Sequence, residues 1–257
     1  MSNRKEKIVN WLIEKAELAS VSGFVVGVSG GVDSALTSTL CALTGKKVVV
    51  AGLHIHQPPE HVSRSEKHMQ WLKDNFSNVQ KTTIDMTKLY ESFVDIDLDQ
   101  TELALANARS RLRMTVLYSI ANTNNLLVAG TGNKVEDYGI GFFTKYGDGG
   151  VDISPIADLL KSEVRSLAKE LGVSDQIVNA VPTDGLWADD RSDEQQIGAS
   201  YEELEWALKY YDENKKFLLS KHDTLSSRQK KVLEIYTTRH LKNKHKLEMP
   251  SVCSINL

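Results

Sequence analysis

Apolar positions along this chain follow two alternating spacings. Ile8, Leu12, Ala16 and Ala19 recur every three or four residues, which predicts an opening amphipathic helix over 5–20, ended by Ser22-Gly23. The next apolar run is short and continuous. Phe24 to Val28 reads FVVGV, rich in β-branched residues and bounded by Gly and Ser, the pattern of a strand buried on both faces. Helical spacing returns from Ala35 to Leu43 and stops at Gly45. Lys47 to Leu53 predicts a second buried strand, Val62 to Phe76 a helix and Val79 to Ile84 a third strand. A helix from Thr101 to Asn122 carries Leu105, Ala108, Leu112, Val116 and Ile120 on one face, and Leu126 to Ala129 predicts a fourth strand. Strands alternating with helices imply parallel pairing. The expected fold is α/β: a doubly wound, mostly parallel sheet of about five strands with helices on both faces.

After the fourth strand the pattern breaks down. Gly130 to Pro155 is Gly-rich and polar without a clear period, and Pro182 to Gly198 is a second polar stretch with many acids. Loops this long in a compact domain are usually functional or disordered. Whether 133–152 and 183–198 are ordered without ligand is left open by the sequence. Asp158 to Leu171 reads as a helix ended by Gly172, and Tyr201 to Tyr211 and Ser227 to Lys244 as closing helices. The expected organisation is one domain over 1–257, with the N-terminal helix at 5–20 and a C-terminal helical segment at 201–245.

Composition narrows the function classes. A net charge of −3 lacks the basic surplus of a general nucleic-acid binder. No apolar run approaches the ~20 residues of a membrane span, and the N-terminus lacks the features of a signal peptide. The two cysteines, Cys41 and Cys253, show no metal-ligand spacing. A cytoplasmic protein with no nucleic-acid or membrane partner is expected. His54 and His56 form an H-x-H at the end of the second strand, but no third ligand has suggestive spacing. The segment His54–Gln57 is read as packing or pocket lining, with no adenine contact assigned.

Between the first strand and the following helix lies Ser29-Gly30-Gly31-Val32-Asp33-Ser34. This is where open α/β sheets hold phosphates. The two glycines permit close backbone approach, exposed amides and the helix N-terminus favour an anion, and the Ser29 and Ser34 hydroxyls donate. Asp33 would be repelled by bare phosphate, so its natural task is to hold Mg²⁺. The bland alternative is a tight turn capped by Ser34. SGGxDS lacks the lysine of a Walker-type loop and resembles the PP-loop of the ATP pyrophosphatase superfamily, whose members release pyrophosphate.

The segment after the fourth strand chooses within that superfamily. It reads Gly130-Thr131-Gly132-Asn133-Lys134-Val135-Glu136, then Gly141 to Ile153 as GFFTKYGDGGVDI. With Arg111-Leu112-Arg113-Met114, PIADLLK over 155–161, Gly185-Leu186-Trp187, Asp193-Glu194, Ser200 to Glu203 and His245-Lys246, the chain resembles the ammonia-dependent NAD synthetases over roughly 5–250. The resemblance implies an adenine nucleotide alpha hydrolase-like fold. It implies ATP-dependent amidation of deamido-NAD by ammonia through an acyl-adenylate, giving NAD, AMP and pyrophosphate. Mg²⁺, ATP as co-substrate and a homodimer are also implied. ATP would be held by residues 29–34 with Thr131, Lys161 and Thr183; Mg²⁺ by Asp33 and Glu136; deamido-NAD by Arg111, Lys145, Asp152, His245 and Lys246. Asp33 and Lys161 would act in adenylation. Asp148 reads equally as a turn cap or as the group that takes a proton from ammonium. Free ammonia is expected as donor, because 257 residues leave no room for an attached amidotransferase domain. A PP-loop enzyme acting on tRNA, or a nucleotide-binding protein without catalysis, are the rival readings.

Three stretches depart from the family pattern. Between Glu136 and the Gly before FFTK there is one residue more than usual, which leaves Asp137 as the alternative metal ligand. GLWADDRSDE stands where GLWPGQTDE is common. HIHQPPE replaces the usual exit of the second strand.

Overall fold

The computed structural model describes residues 2–183, 192–214 and 224–255. Its sheet has the order β3-β2-β1-β4, where β1 is Gly23–Gly27, β2 Lys47–His54, β3 Val79–Asp85 and β4 Leu126–Val128. All three pairings are parallel, with Phe24 opposite both Val48 and Leu127. A βαβ crossover requires a helix over one face of the sheet. Accordingly α1 (Ser2–Leu18), α2 (Val32–Leu43), α3 (Pro59–Asn75) and α6 (Lys161–Glu170) pack with Phe24, Val26, Val48 and Val50. On the other side α4 (Thr87–Val94) and α5 (Glu102–Asn124) pack with Val25, Val49 and Ala51. Successive residues of β1 thus serve opposite cores. This is why the strand reads as an unbroken apolar run.

The sheet has four strands among the described residues, not about five. The segment around Ile153 runs beside β4 but makes one parallel bridge to it, Ala129 to Ile153, among the described residues. Asp152 explains the interruption: its Oδ2 accepts from Val128 N at 2.8 Å, so a side chain takes a donor at the strand end. Pro155, two residues past Ile153, has no N–H for a ladder.

The short α7 (Asp175–Val178) and α8 (Asp193–Ile197) lie in stretches where no helix was expected. A third apolar cluster joins α8, α9 (Tyr201–Asn214), α10 (Ser227–Leu247) and a π-helical turn at Lys134–Ile140. The π-helical turn lies within the polar stretch that showed no period. A π-helix is what one inserted residue produces in a helical turn, and it coincides with the extra residue after Glu136. Asn133 caps it: its Oδ1 accepts from Val135 N at 3.1 Å and Glu136 N at 3.0 Å.

Candidate active site

The loop between β1 and α2 is held from both sides. Gly30 has φ +91, and a Cβ there would lie 2.7 Å from His61 O, so only glycine fits under α3. From α3, Ser65 Oγ donates to Val28 O at 2.7 Å, and Arg64 Nε to Gly30 O at 3.3 Å. Ser34 is buried, accepts from Ser29 N at 3.2 Å and donates to Gly31 O at 3.0 Å.

This loop forms one wall of a cleft of ≈ 840 Å³ above the carboxyl ends of the strands. Ser29, Gly31, Val32, Asp33, Ser34, Thr131, Glu136, Lys161 and Thr183 line it, as do Asp148 and Lys246. Gly30 turns away beneath α3. Gly185-Leu186-Trp187 falls outside the described residues.

Charge concentrates where three elements meet. Asp33 is in the first turn of α2, Lys161 is the first residue of α6, and Glu136 is in the π-helical turn. Lys161 Nζ lies 2.5 Å from Asp33 Oδ2 and 2.8 Å from Glu136 Oε1, with its side chain almost wholly buried. Asn133 Nδ2 donates to the other Asp33 oxygen at 3.0 Å. Burial pushes the Asp33 carboxyl up, and Lys161 offsets only part of that while Glu136 adds to it. Burial also opposes ionisation of Glu136, but Lys161 and a hydrogen bond from Tyr201 outweigh it and hold this carboxyl below its ordinary range. Both carboxylates drive the Lys161 ammonium up against the cost of its burial. Tyr201 Oη donates to Glu136 and approaches Asp193 Oδ2 at 3.2 Å, and the ammonium sits 4.9 Å from the centre of the tyrosine ring.

Asp137 does not join that cluster through a hydrogen bond. It lines a second cavity of ≈ 100 Å³, with Asp148 and Lys246 among its neighbours. Burial and the neighbouring acids Asp148, Glu136 and Asp33 push its carboxyl well up. Asp148 has one oxygen tied into its turn: Oδ1 accepts from Ser110 Oγ at 2.7 Å and Thr144 N at 2.9 Å. Its accessible surface opens into the cleft, while the surrounding protein still raises its pKa.

Of the residues matched to the second substrate, only Lys246 lines the cleft. Arg111, Lys145 and His245 gather outside it: Arg111 Nε donates to Lys145 O at 3.2 Å, and Lys145 Nζ to His245 O at 2.5 Å. Lys246 Nζ reaches back to Gly141 O and Phe143 O, both at 2.9 Å. Two lysines therefore exchange places between loop and helix end. Asp152 uses its oxygens on Val128 N and the Tyr118 hydroxyl. Sequence reading assigned nothing to Asn133, Ser110 or Tyr201. Asn133 and Tyr201 had the one signal of membership of matched strings, and Ser110, just before Arg111, had none.

The family model described as NAD synthase matches residues 4–250. A relative from Methanococcus aeolicus, named NH(3)-dependent NAD(+) synthetase, is 39% identical over 213 residues, covering 81% of this chain and 82% of its own. A solved structure of NMN synthetase from Francisella tularensis is 30% identical with a TM-score of 0.86, covering 99% of this chain and 98% of its own. An NH3-dependent NAD synthetase from Campylobacter jejuni is 27% identical with a TM-score of 0.79, covering 98% and 99%.

Proposed function

Since this chain belongs to the NAD synthase family, we propose a residue-level account of the reaction that this membership assigns to it. The protein is a ligase that forms a carbon–nitrogen bond, amidating deamido-NAD to NAD with ATP as co-substrate. In the first step a nicotinate carboxylate oxygen forms a bond to the α-phosphorus of ATP as the bond to pyrophosphate breaks. Ammonia then forms the C–N bond to the acyl carbon, AMP leaves with the C–O bond pair, and one proton is lost. Adenylation is needed because a carboxylate oxygen does not leave and AMP does.

The observation that carries the assignment of roles is the buried cluster around Lys161. One ammonium serves Asp33 and Glu136, with Asp193 joined through Tyr201. The cluster gathers the carboxylate oxygens of Asp33 and Glu136 around one buried ammonium. Such a donor set suits a divalent cation shared with phosphate oxygens. Asp33 and Glu136 would hold Mg²⁺, which supplies charge neutralisation for the departing pyrophosphate. Lys161 leaves its carboxylates for phosphate oxygens and steadies the charge on phosphorus. Ser29, residues 31–34, Thr131 and Thr183 hold the nucleotide, and Gly30 lets the loop pass beneath α3. Ser110 and the Thr144 amide fix Asp148, whose remaining oxygen faces the cleft and takes the ammonium proton.

Arg111, Lys145, Asp152, His245 and Lys246 would bind deamido-NAD. All but Lys246 lie outside the cleft of one chain, which supports a homodimer whose second copy completes the site. A cytoplasmic location fits this substrate set.

The test is pyrophosphate release, measured with deamido-NAD and with the corresponding acid mononucleotide, because one neighbour is an NMN synthetase. Sustained release is expected to require both ammonium and deamido-NAD, with at most one equivalent per site when ammonium is withheld. Preference for the mononucleotide would replace the substrate while keeping the chemistry. Release with neither would sink the reading.

A further inference from the structure

Tyr201 opens α9, and its ring packs in the apolar cluster of α8, α9, α10 and the π-helical turn. Its hydroxyl leaves that cluster and enters the charged one. It donates to Glu136 Oε1 and lies 3.2 Å from Asp193 Oδ2, with only 5% of the residue exposed. A phenol carries one proton, so it serves one of the two carboxylates at a time. The closer is Glu136. Asp193 in turn is anchored on the far side of the 184–191 stretch, with its N–H donating to Pro182 O at 3.0 Å. Lys161, which also meets Glu136, divides its ammonium between that carboxylate and Asp33. The phenol is fixed by its ring.

We infer that Tyr201, held by the packing of its ring, is a positioning residue that orients the Glu136 carboxylate for a divalent cation. The inference rests on the reading of Glu136 as a ligand. A ligating carboxylate presents one lone pair to the ion and needs its other directions held by hydrogen bonds, and such partners are worth about 10–100-fold in metal affinity. The tyrosine has the right form for this. Its hydroxyl is an ordinary phenol, which carries its proton at neutral pH and donates it to Glu136 Oε1. It is also rigid, because its ring is packed between Lys161 and the helices. The arrangement further ties metal affinity to α8 and α9. Any shift of these helices withdraws the hydroxyl and frees Glu136 to rotate.

The experiment follows Mn²⁺ binding by electron paramagnetic resonance, with a non-hydrolysable ATP analogue, in the intact protein and in the variants Tyr201→Phe and Glu136→Gln. Tyr201→Phe keeps the ring and is expected to weaken Mn²⁺ by about tenfold. In turnover the half-saturating Mg²⁺ concentration should rise by a similar factor while KM for deamido-NAD stays constant. The thermal midpoint should stay within a few degrees of the parent. Unchanged Mn²⁺ affinity in Tyr201→Phe, with a clear loss in Glu136→Gln, overturns the inference alone. Unchanged affinity in both overturns the ligand reading beneath it. Loss of cooperative unfolding in Tyr201→Phe makes the residue structural and also overturns the inference.

Discussion

His68 shows how burial writes a pH dependence into a single side chain. It is buried on α3, its ring stacks on Trp71 with centroids 5.6 Å apart, and its Nε2 lies 3.0 Å from Ser38 Oγ. Ser38 Oγ donates to Ser34 O at 2.8 Å, so the imidazole N–H serves the serine oxygen. Burial pulls the imidazole down to about 4. The folded form therefore resists a proton that the unfolded chain accepts at ~6.5. Between those values the unfolded state binds more protons, so stability is full above pH 6.5 and falls as pH drops toward 4. The loss is on the order of 3 kcal/mol. His68→Gln should flatten the slope of thermal midpoint against pH across this window. A variant with the parent slope would assign the acid sensitivity elsewhere. In the candidate site, Asp33→Asn should abolish adenylation with the fold intact, read from pyrophosphate release beside thermal unfolding. Near-normal release would remove Asp33 from the metal site. Asp33 was legible in the sequence because its chemistry follows from its neighbours in the chain. Tyr201 was not, because its partner Glu136 lies 65 residues away.

At the scale of elements, the strands and the β1–α2 loop followed from local pattern, because a buried strand and a phosphate turn are each specified within about ten residues. The short α4 escaped, with Tyr90 as its one buried residue and too little sequence to show a period. The π-helical turn escaped for another reason. An inserted residue destroys the 3.6-residue spacing by which a helix is recognised, so Lys134–Ile140 reads as a polar loop. What holds that turn is Asn133, fully buried, whose oxygen caps two amides and whose nitrogen meets Asp33. Asn133→Ala should cost about 2–3 kcal/mol, from the lost cap and an unmet buried partner. Asn133→Asp keeps the cap acceptor but sets a second carboxylate against Asp33, so it should lose more activity than stability. Denaturant unfolding and pyrophosphate release separate the two. Equal stability for Asn133→Ala and the parent would show that the turn holds without its cap.

For the whole molecule, family and fold class were legible from one long matched string, while the strand count was not. The fifth place in the sheet is decided by Asp152 capping β4, a contact between residues 24 apart. The positions matched to deamido-NAD divide between the cleft and the exposed patch at Arg111, Lys145 and His245. Leu103 and Tyr146 are also exposed apolar surface, 58% and 61% accessible. Sedimentation should give twice the chain's 28.6 kDa. Arg111→Glu should raise KM for deamido-NAD with no change in half-saturating ATP. A fully active monomer would end the shared-site proposal.

The exchanged lysines carry a consequence for how the protein is made. Lys145 and the residues it holds, His245 and Glu248, are separated by about a hundred positions, and so are Lys246 and the loop carbonyls it meets. On the ribosome, the loop emerges long before the helix end that fastens it. The loop gains its clasp only when the last turn of α10 clears the exit tunnel. A chain terminated before this turn lacks the contacts that tie the 141–145 loop to the end of α10.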